Sequence, residues 1–369
     1  MGKSTDTRGN KESKLNMTDE VYERLADQLN ALPNSFPRTQ SGVEICLLKK
    51  IARPEEAWLA GQLGRTMESA EEISARVGLP VEEVTERLRV ISRRGLVRVA
   101  DRGGVHHYRL APFVVGVYEA QFHTMDHELA HLFEQYMMLQ GTAQGILGTH
   151  PPLHRVIPAQ KAVKSEWILP YDDVRALLLQ AKSYSVRDCI CRVEQDLLGS
   201  RSCSFPLRNC VTFNRVGRPA GEDSISQEEA LAILDEAEEI GLVHTVSNNV
   251  KDVFYICNCC GCCCAILRGI TQRGIENSVA KANYYSEIDP ADCGGCEICI
   301  DRCQVGAISM KEGLAVVDSS RCIGCGLCVT GCPDMAAHLH KRSDAQLIHP
   351  PADFTAWEEE RLHSRCLVG

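Results

Sequence analysis

The stretch CGGCEICIDRC, from Cys293 to Cys303, and its repeat CIGCGLCVTGCP, from Cys322 to Pro333, decide how the C-terminal part of the chain folds. Each copy spaces its cysteines as C-x2-C-x2-C-x3-C. A cubane cluster needs one thiolate at each of its four irons. Three cysteines on a tight loop can reach three irons, whereas the fourth begins a helix that points away and serves the other copy. The doubled spacing therefore predicts two [4Fe–4S] clusters and disfavours zinc knuckles.

The two copies resemble the bacterial two-cluster ferredoxin domain over residues 287–341. The segments AISM (307–310) and AVVD (315–318) fit short strands between the loops. Gln304 departs from the family, whose first copy usually has proline there; because the ligands are intact, we expect only a small change in loop geometry. The resemblance implies that one cluster is held by Cys293, Cys296, Cys299 and Cys332, and the other by Cys322, Cys325, Cys328 and Cys303.

A second cysteine-rich region precedes this tail and consists of two blocks separated by a predicted helix and strands. Arg187 and Arg192 flank the first cysteine pair, and cations at such positions favour the thiolate form that ligates iron. The order of the elements suggests that both blocks fold back onto one site, which would hold one or two further iron–sulfur clusters. Zinc binding and free structural thiols are the alternatives. The candidate ligands are Cys189, Cys191, Cys203, Cys210, Cys257, Cys259, Cys260, Cys262, Cys263 and Cys264.

The second of these blocks, CNCCGCCC, contains six thiols in eight positions, more than the four that a cubane needs. Adjacent cysteines on an extended strand point to opposite faces. An alternating register predicts that Cys257, Cys259 and Cys263 face one way and that Cys260, Cys262 and Cys264 face the other, with a turn at Gly261. The block therefore fits two clusters, one larger cluster, or one cluster with spare thiols.

The front of the chain, residues 41–115, reads as helices followed by a β-hairpin. Ser69 and Glu72 predict a capping box, and Gly78 predicts the end of that helix. Helix–turn–helix followed by a hairpin resembles the winged-helix fold. The candidate recognition helix is acidic at its N-terminal end, where bases are usually read, so the pattern favours protein docking over DNA binding. Its arginines gather at the other end: Arg87, Arg89, Arg93 and Arg94.

The apolar periodicity from Val114 to Met138 predicts one long helix behind this region. His123, His127 and His131 would then lie on one face, a spacing that could hold a metal, although surface histidines on an amphipathic helix are the simpler interpretation. Two cysteines stand outside the cysteine-rich blocks, and we expect neither Cys46 nor Cys366 to be a ligand.

The middle region has the pattern C-x-C-R, then P-x3-C at Pro206 and Cys210, then GLVH and CNCC-x-CCC. This pattern resembles a group of iron–sulfur proteins from anaerobic bacteria, which usually pair it with a C-terminal two-cluster ferredoxin domain. The order of the parts predicts an α+β multidomain fold. The front would be a winged helix, the middle a cysteine-rich α+β domain, and the C-terminal part a bacterial-type ferredoxin βαβ repeat. The expected divisions are a flexible segment (1–40), the winged-helix-like domain (41–115), a helical linker (116–180), the iron–sulfur domain (181–286), the ferredoxin domain (287–341) and a tail (342–369).

Composition restricts the function. The net charge of −9 disfavours a general affinity for nucleic acid or anionic membranes. The polar first 15 residues are not a signal peptide, so we expect a cytoplasmic protein without membrane insertion. No dinucleotide fingerprint, P-loop or nucleophile motif is present, and we expect no catalytic site of its own.

The resulting expectation is an electron-transfer protein that serves a partner oxidoreductase in anaerobic metabolism. The alternatives are a redox-responsive winged-helix regulator, for which DNA would be a partner, and a reductase whose middle cluster has an open iron site.

Overall fold

The computed structural model describes residues 8–139 and 141–368, and the chain divides into two compact units, Met1–Ile146 and Leu147–Gly369. Both units combine helices with sheets, so the fold is mixed α+β, as the sequence predicted. In the part of the chain that is described, no helix is both long enough and apolar enough to cross a membrane.

The first unit contains short helices and one small antiparallel sheet, in which the strand order is β1–β3–β2. Its strands are β1 (Glu68–Ser69), β2 (Val97–Arg102) and β3 (Val105–Leu110). Its helices are α1 (Arg8–Ala31), α2 (Val43–Ile51), α3 (Pro54–Ala60), α4 (Ala70–Val77), α5 (Val81–Arg93), α6 (His127–Met138) and, at its end, α7 (Thr142–Leu147).

The helix pair α4 and α5, with the hairpin β2–β3 behind it, has the boundaries that the sequence signals predict. The Ser69 hydroxyl accepts the backbone N–H of Glu72 at 3.3 Å, and the Glu72 carboxylate accepts the N–H of Ser69 at 2.7 Å. Helix α4 ends at Gly78, whose φ of 72° lies in the left-handed region that favours glycine. Leu88 on α5 is fully buried beneath this motif.

Within the segment 1–40, which the sequence predicted to be flexible, residues 8–31 form α1. Leu25 and Leu29 on this helix are buried, and the Tyr22 hydroxyl donates to the carbonyl of Ala52 at 2.8 Å. The polar composition of the first fifteen residues conceals this apolar spacing, which begins only after them. Residues 1–7 lie outside the described residues.

The expected long helix from Val114 to Met138 is broken in two places. Val114 and Val115 have extended φ and ψ angles, and a short 3-10 helix covers Glu119–His123. Helix α6 begins anew at Asp126, whose carboxylate accepts the N–H of Leu129 at 2.9 Å. His123 therefore lies before the helix that carries His127 and His131, and the three histidines do not share one helical face.

The second unit contains the cysteine-rich and ferredoxin-like regions. Its helices are α8 (Val174–Leu179), α9 (Ile190–Leu197), α10 (Gln227–Ile240), α11 (Leu267–Arg273), α12 (Ile298–Asp301), α13 (Leu327–Thr330) and α14 (Phe354–Val368). Its strands are β4 (His154–Ile157), β5 (Ser183–Asp188), β6 (Arg208–Asn214), β7 (Ser224–Ile225), β8 (Val243–Ser247), β9 (Tyr255–Cys259), β10 (Val279–Ala280), β11 (Tyr284–Ile288), β12 (Ile308–Lys311), β13 (Leu314–Val317) and β14 (Ala337–Lys341).

A seven-stranded sheet organises this unit, with strand order β10–β4–β8–β9–β6–β5–β7. All neighbours are antiparallel except β10 and β4. Helix α10 packs Ala230 and Leu234 against Val211 and Ile256 of the sheet. Since β4 belongs to this sheet, the expected helical linker over residues 116–180 contributes a strand to the core of the second unit.

The ferredoxin-like region consists of two antiparallel pairs, β11–β14 and β12–β13, and the two short helices α12 and α13. The hairpin β12–β13 lies at the two segments in which the sequence predicted strands. Beyond it, the expected tail contains helix α14, which buries Trp357 and Arg361 in the same unit. Trp357 donates its indole N–H to the carbonyl of Pro152 at 3.0 Å, so this end of the chain is packed.

Candidate metal centres

All eighteen candidate cysteines lie in the second unit, where they form four groups of sulfur atoms. We name them the outer ferredoxin group (Cys293, Cys296, Cys299, Cys332), the inner ferredoxin group (Cys303, Cys322, Cys325, Cys328), the four-thiol group (Cys203, Cys260, Cys262, Cys263) and the six-thiol group (Cys189, Cys191, Cys210, Cys257, Cys259, Cys264). Cys46 is exposed in the first unit, and the side chain of Cys366 lies beyond the described residues.

The outer ferredoxin group lines one cavity, which Gly294 and Asp334 also border. Cys293 and Cys296 come from the loop before α12, Cys299 lies on α12, and Cys332 comes from the end of the second copy. Cys296 is exposed, whereas Cys299 is buried. Burial raises the pKa of the Cys299 thiol, which disfavours the thiolate. A metal that binds here would itself stabilise the thiolate, because only the deprotonated sulfur is a ligand. This group contains the four residues that the resemblance assigned to one cluster, and one edge of it reaches the surface.

The inner ferredoxin group lines a second, separate cavity with apolar walls that include Val305, Ile308 and Leu327. Burial raises the pKa of the Cys328 thiol to about 11. The Cys328 sulfur lies 3.1 Å from the Ser286 hydroxyl, and the N–H of Ala307 donates to the Cys303 sulfur at 3.1 Å. Such donors stabilise negative charge on ligand sulfurs. The four residues that the resemblance assigned to the other cluster thus share a more enclosed site.

Glycine makes the inner loop possible. Gly324 has a φ of 73°, and a Cβ atom there would overlap the backbone carbonyl of Tyr284. The loop can therefore pass against β11 only because residue 324 has no side chain.

The four-thiol group is the tightest cluster of sulfur atoms. Its four ligand atoms lie within 4.8 Å of one another. The Cys203 sulfur lies 3.9 Å from that of Cys260 and 3.8 Å from that of Cys263, and Cys262 and Cys263 are 3.5 Å apart. Cys203 comes from the loop after α9, whereas the other three follow β9. Four soft thiolates that converge on one point are the ligand set of either a [4Fe–4S] cluster or a zinc ion. Separations of 3.5–3.9 Å match the edge of a thiolate tetrahedron around a single ion with metal–sulfur bonds of about 2.3 Å.

The six-thiol group is a chain of sulfur contacts. Hydrogen bonding connects Cys210 with Cys257, Cys257 with Cys259, Cys259 with Cys264, and Cys264 with Cys191, and Cys191 in turn with Cys189. The strands β6 and β9, the start of α9 and the turn before α11 supply these residues. Six thiols exceed the four that one cubane needs, so this group has two more than a single cluster requires.

The structure differs from the alternating register in one respect: Cys264 belongs with Cys257 and Cys259, and Cys263 with Cys260 and Cys262. The reason lies in the backbone after β9. The N–H of Cys264 donates to the carbonyl of Cys260 at 3.1 Å, so the chain has already left the strand and begun a helical turn. Strand alternation therefore ends at Cys260, at the turn that the sequence placed at Gly261.

Arg192 lies between the two groups of the cysteine-rich region and is fully buried. It donates to the carbonyl of Asn258 at 2.8 Å, to the Asn209 side chain at 2.8 Å and to the carbonyl of Pro206 at 2.9 Å. The pKa of the Cys260 thiol is lowered to about 4, first by its hydrogen bond with Cys263 and further by the charge of Arg192. Arg192 thus stabilises thiolate at this site.

Arg187, the other arginine that the sequence singled out, has a different environment. Its side chain is 43% exposed and pairs with Asp223 at 3.6 Å.

Sequence reasoning missed the polar residues that hold β9 in place. Asn258 lies between Cys257 and Cys259 on the opposite face of the strand; it donates to the carbonyl of Asn209 at 2.8 Å and contacts His244 Nδ1 at 2.6 Å. His244 in turn lies 3.5 Å from the buried Glu238 carboxylate. The available signal was the single asparagine inside CNCC, because a buried amide at an alternate strand position needs partners.

The model of the 4Fe-4S dicluster domain family matches residues 285–342. No curated protein matches the chain. The matched segment contains β11 from its second residue onward, both cysteine-bearing loops and β14, and hence both ferredoxin groups. The match supports a ferredoxin-type domain with 4Fe–4S cluster binding in the C-terminal part of the chain.

Proposed function

We propose that the protein is a multi-cluster iron–sulfur electron-transfer protein that exchanges electrons with a partner oxidoreductase in anaerobic metabolism. The outer and inner ferredoxin groups would each hold one [4Fe–4S] cluster, and the four-thiol and six-thiol groups would each hold one further cluster. The observation that carries the proposal is the presence of four separate thiol groups in one compact unit. Each cluster would supply a site that gains or loses one electron.

The burial of the groups supports a direction for this series. Cys296 of the outer ferredoxin group is exposed, and the neighbouring Met335 is 78% exposed. In contrast, Cys259, Cys260, Cys263 and Cys264 of the cysteine-rich region are buried. We infer that a redox partner contacts the outer ferredoxin group and that the inner sites are shielded from solvent.

The protein's own residues would ligate, shield and tune, without acid, base or nucleophile. Arg192 contributes a fixed positive charge beside two groups, and Ser286 and the N–H of Ala307 contribute hydrogen bonds at a third. The helix pair α4 and α5 with its hairpin supports a winged-helix module, which we propose docks to the partner.

Anaerobic iron and sulfide analysis combined with EPR spectroscopy tests the proposal. Two ferredoxin clusters and one on each middle group give about sixteen irons per chain. About eight irons would place all clusters in the ferredoxin-type domain and contradict the proposal. Zinc in place of four irons would contradict it for the four-thiol group.

A redox-responsive regulator is the second candidate, and one observation favours it: α5 follows α4 through a tight turn and precedes a hairpin, as in many DNA-binding modules. Binding to DNA that changes with the oxidation state would support this function over simple electron transfer.

A further inference from the structure

Gln304 connects the ferredoxin-type domain to the cysteine-rich region. It follows Cys303, as Pro333 follows Cys332 in the second copy. Its side-chain oxygen accepts the backbone N–H of Gly261 at 2.9 Å, and its side-chain nitrogen donates to the carbonyl of Gly241 at 3.0 Å. A proline at this position could form neither bond. The departure from the ferredoxin pattern therefore creates a specific contact with another part of the unit.

Gly261 receives this contact at very close range. A Cβ atom at this position would overlap the backbone carbonyl of Gln304. The φ of Gly261 is not positive, so glycine is required here because two backbones approach closely and not because the conformation is unusual. The Thr271 hydroxyl donates to the carbonyl of Gly261 at 3.1 Å and fixes the turn from its other side.

Arg302 holds the same two regions together. Its guanidinium donates to the carbonyls of Glu239 at 2.7 Å and Glu238 at 2.8 Å, at the C-terminal end of α10. Its Nε donates to the carbonyl of Leu327 at 2.7 Å, within the ferredoxin-type domain. The last carbonyls of a helix have no partners within the helix and carry partial negative charge, so a cation there is favourable. Arg302 and Gln304 thus both bind the end of α10.

We propose that the Gln304–Gly261 contact is the electron-transfer junction between the inner ferredoxin group and the four-thiol group. Cys303 is bonded directly to Gln304, and Cys260 is bonded directly to Gly261. One hydrogen bond and one backbone contact therefore complete a path between ligands of two different groups. The ferredoxin-type domain is, on this basis, a permanently docked donor or acceptor for the cysteine-rich region. This inference rests on the proposed function.

Two variants test the junction by different means. Gln304→Pro restores the usual ferredoxin residue and removes both side-chain hydrogen bonds. Gly261→Ala inserts a methyl group that forces the two backbones apart. Gly217→Ala is the matched control, because a Cβ atom at Gly217 meets nothing within 4 Å. All three proteins are prepared anaerobically as full chains with their clusters.

Three measurements are made on each protein: iron content, magnetic coupling between reduced clusters by EPR, and amide hydrogen exchange over residues 258–264. We expect all three chains to keep the iron content of the wild type. Gln304→Pro and Gly261→Ala should lose magnetic coupling between the ferredoxin and middle clusters, slow electron transfer between them after photoreduction, and speed exchange at residue 261. Gly217→Ala should match the wild type.

Wild-type coupling and transfer rates in both Gln304→Pro and Gly261→Ala would overturn the junction. Should Gly261→Ala lose iron through misfolding, Gln304→Pro decides alone, because it keeps the residue that the ferredoxin pattern prefers. Failure of the proposed function gives a different result: the wild-type protein would then lack any EPR signal or iron beyond the ferredoxin clusters. An intact middle cluster with unchanged coupling in both variants would therefore exclude the junction and leave the proposed function standing.

Discussion

Cys259 and Cys260 are neighbours in the sequence, but their sulfur atoms belong to different thiol groups. Cys259 ends β9 and faces the six-thiol group, and Cys260 faces Cys203 and Cys263. The pKa of Cys259 is lowered to about 5, mainly by its hydrogen bond with Cys257, and that of Cys260 to about 4, mainly by its hydrogen bond with Cys263. One peptide unit thus separates a favoured thiolate in each group, so in the proposed function the two middle clusters would lie on opposite faces of one strand end.

The first prediction concerns the four-thiol group. Cys263→Ser should lose about four irons per chain, because a hydroxyl is a poor substitute for a soft thiolate at a buried site. Cys46→Ser is the control, since Cys46 is exposed in the first unit. Iron and sulfide analysis with EPR should show an altered middle signal and unchanged ferredoxin signals. A full iron content in Cys263→Ser would show that this group holds no cluster.

The second prediction addresses the two surplus thiols of the six-thiol group. If one cubane occupies this group, four of the six single Cys→Ser variants should lose about four irons and two should keep them. Cys259 and Cys264, which are buried, are the first to be tested. Loss of iron in all six variants would instead indicate one larger cluster that uses every thiol. Retention in all six would exclude a cluster here.

Local signals in the sequence predicted much of the fold. The capping boxes at Ser69 and Ser226 are present, and α10 ends at Gly241 with a φ of 91°. These features depend on residues three or four apart, so composition at a few positions decides them. The two sets of four cysteines that the resemblance to two-cluster ferredoxins implied line two separate cavities.

Features that depend on tertiary contacts could not be predicted in this way. Cys263 and Cys264 belong to the opposite thiol groups from those that the alternating register predicts, because strand β9 ends at Cys259. The break before α6 lets Tyr118 stack on Phe133, with 3.8 Å between the ring centroids. The role of Gln304 requires Gly241 and Gly261, which are remote in sequence. Periodicity describes one segment at a time and contains no information about such partners.

The third prediction concerns the charge of Arg192. A buried cation stabilises the more negative, reduced form of a nearby cluster, so Arg192→Gln should lower the reduction potentials of the middle clusters. Potentials of the ferredoxin clusters should stay unchanged in a redox titration followed by EPR. Arg192→Lys should restore most of the potential because it keeps the charge, which distinguishes electrostatics from lost packing. Arg187→Gln, at an exposed position, is the control; equal shifts in both glutamine variants would refute a local effect.

The fourth prediction is that the first unit does not bind DNA, even at low salt, where electrostatic binding is strongest. Two arginines of α5 are paired on their own helix: Arg87 with Glu83 at 2.5 Å and Arg89 with Glu86 at 3.1 Å. Phosphate binding would require breaking these pairs, and the acidic first turn of α5 repels the backbone of DNA. A gel shift at low salt, with the protein oxidised and then reduced, should show no complex.

A charge variant calibrates this test. In Glu83→Gln/Glu86→Gln, both arginines lose their partners and the acidity of the helix falls, so weak binding that disappears with added salt should become detectable. Binding by this variant alone would establish that the assay detects the helix and that its native carboxylates prevent contact with DNA. Binding by the wild-type protein, with an affinity that depends on the oxidation state, would instead favour the regulator. Arg87 and Arg89 would then exchange their glutamate partners for DNA phosphates.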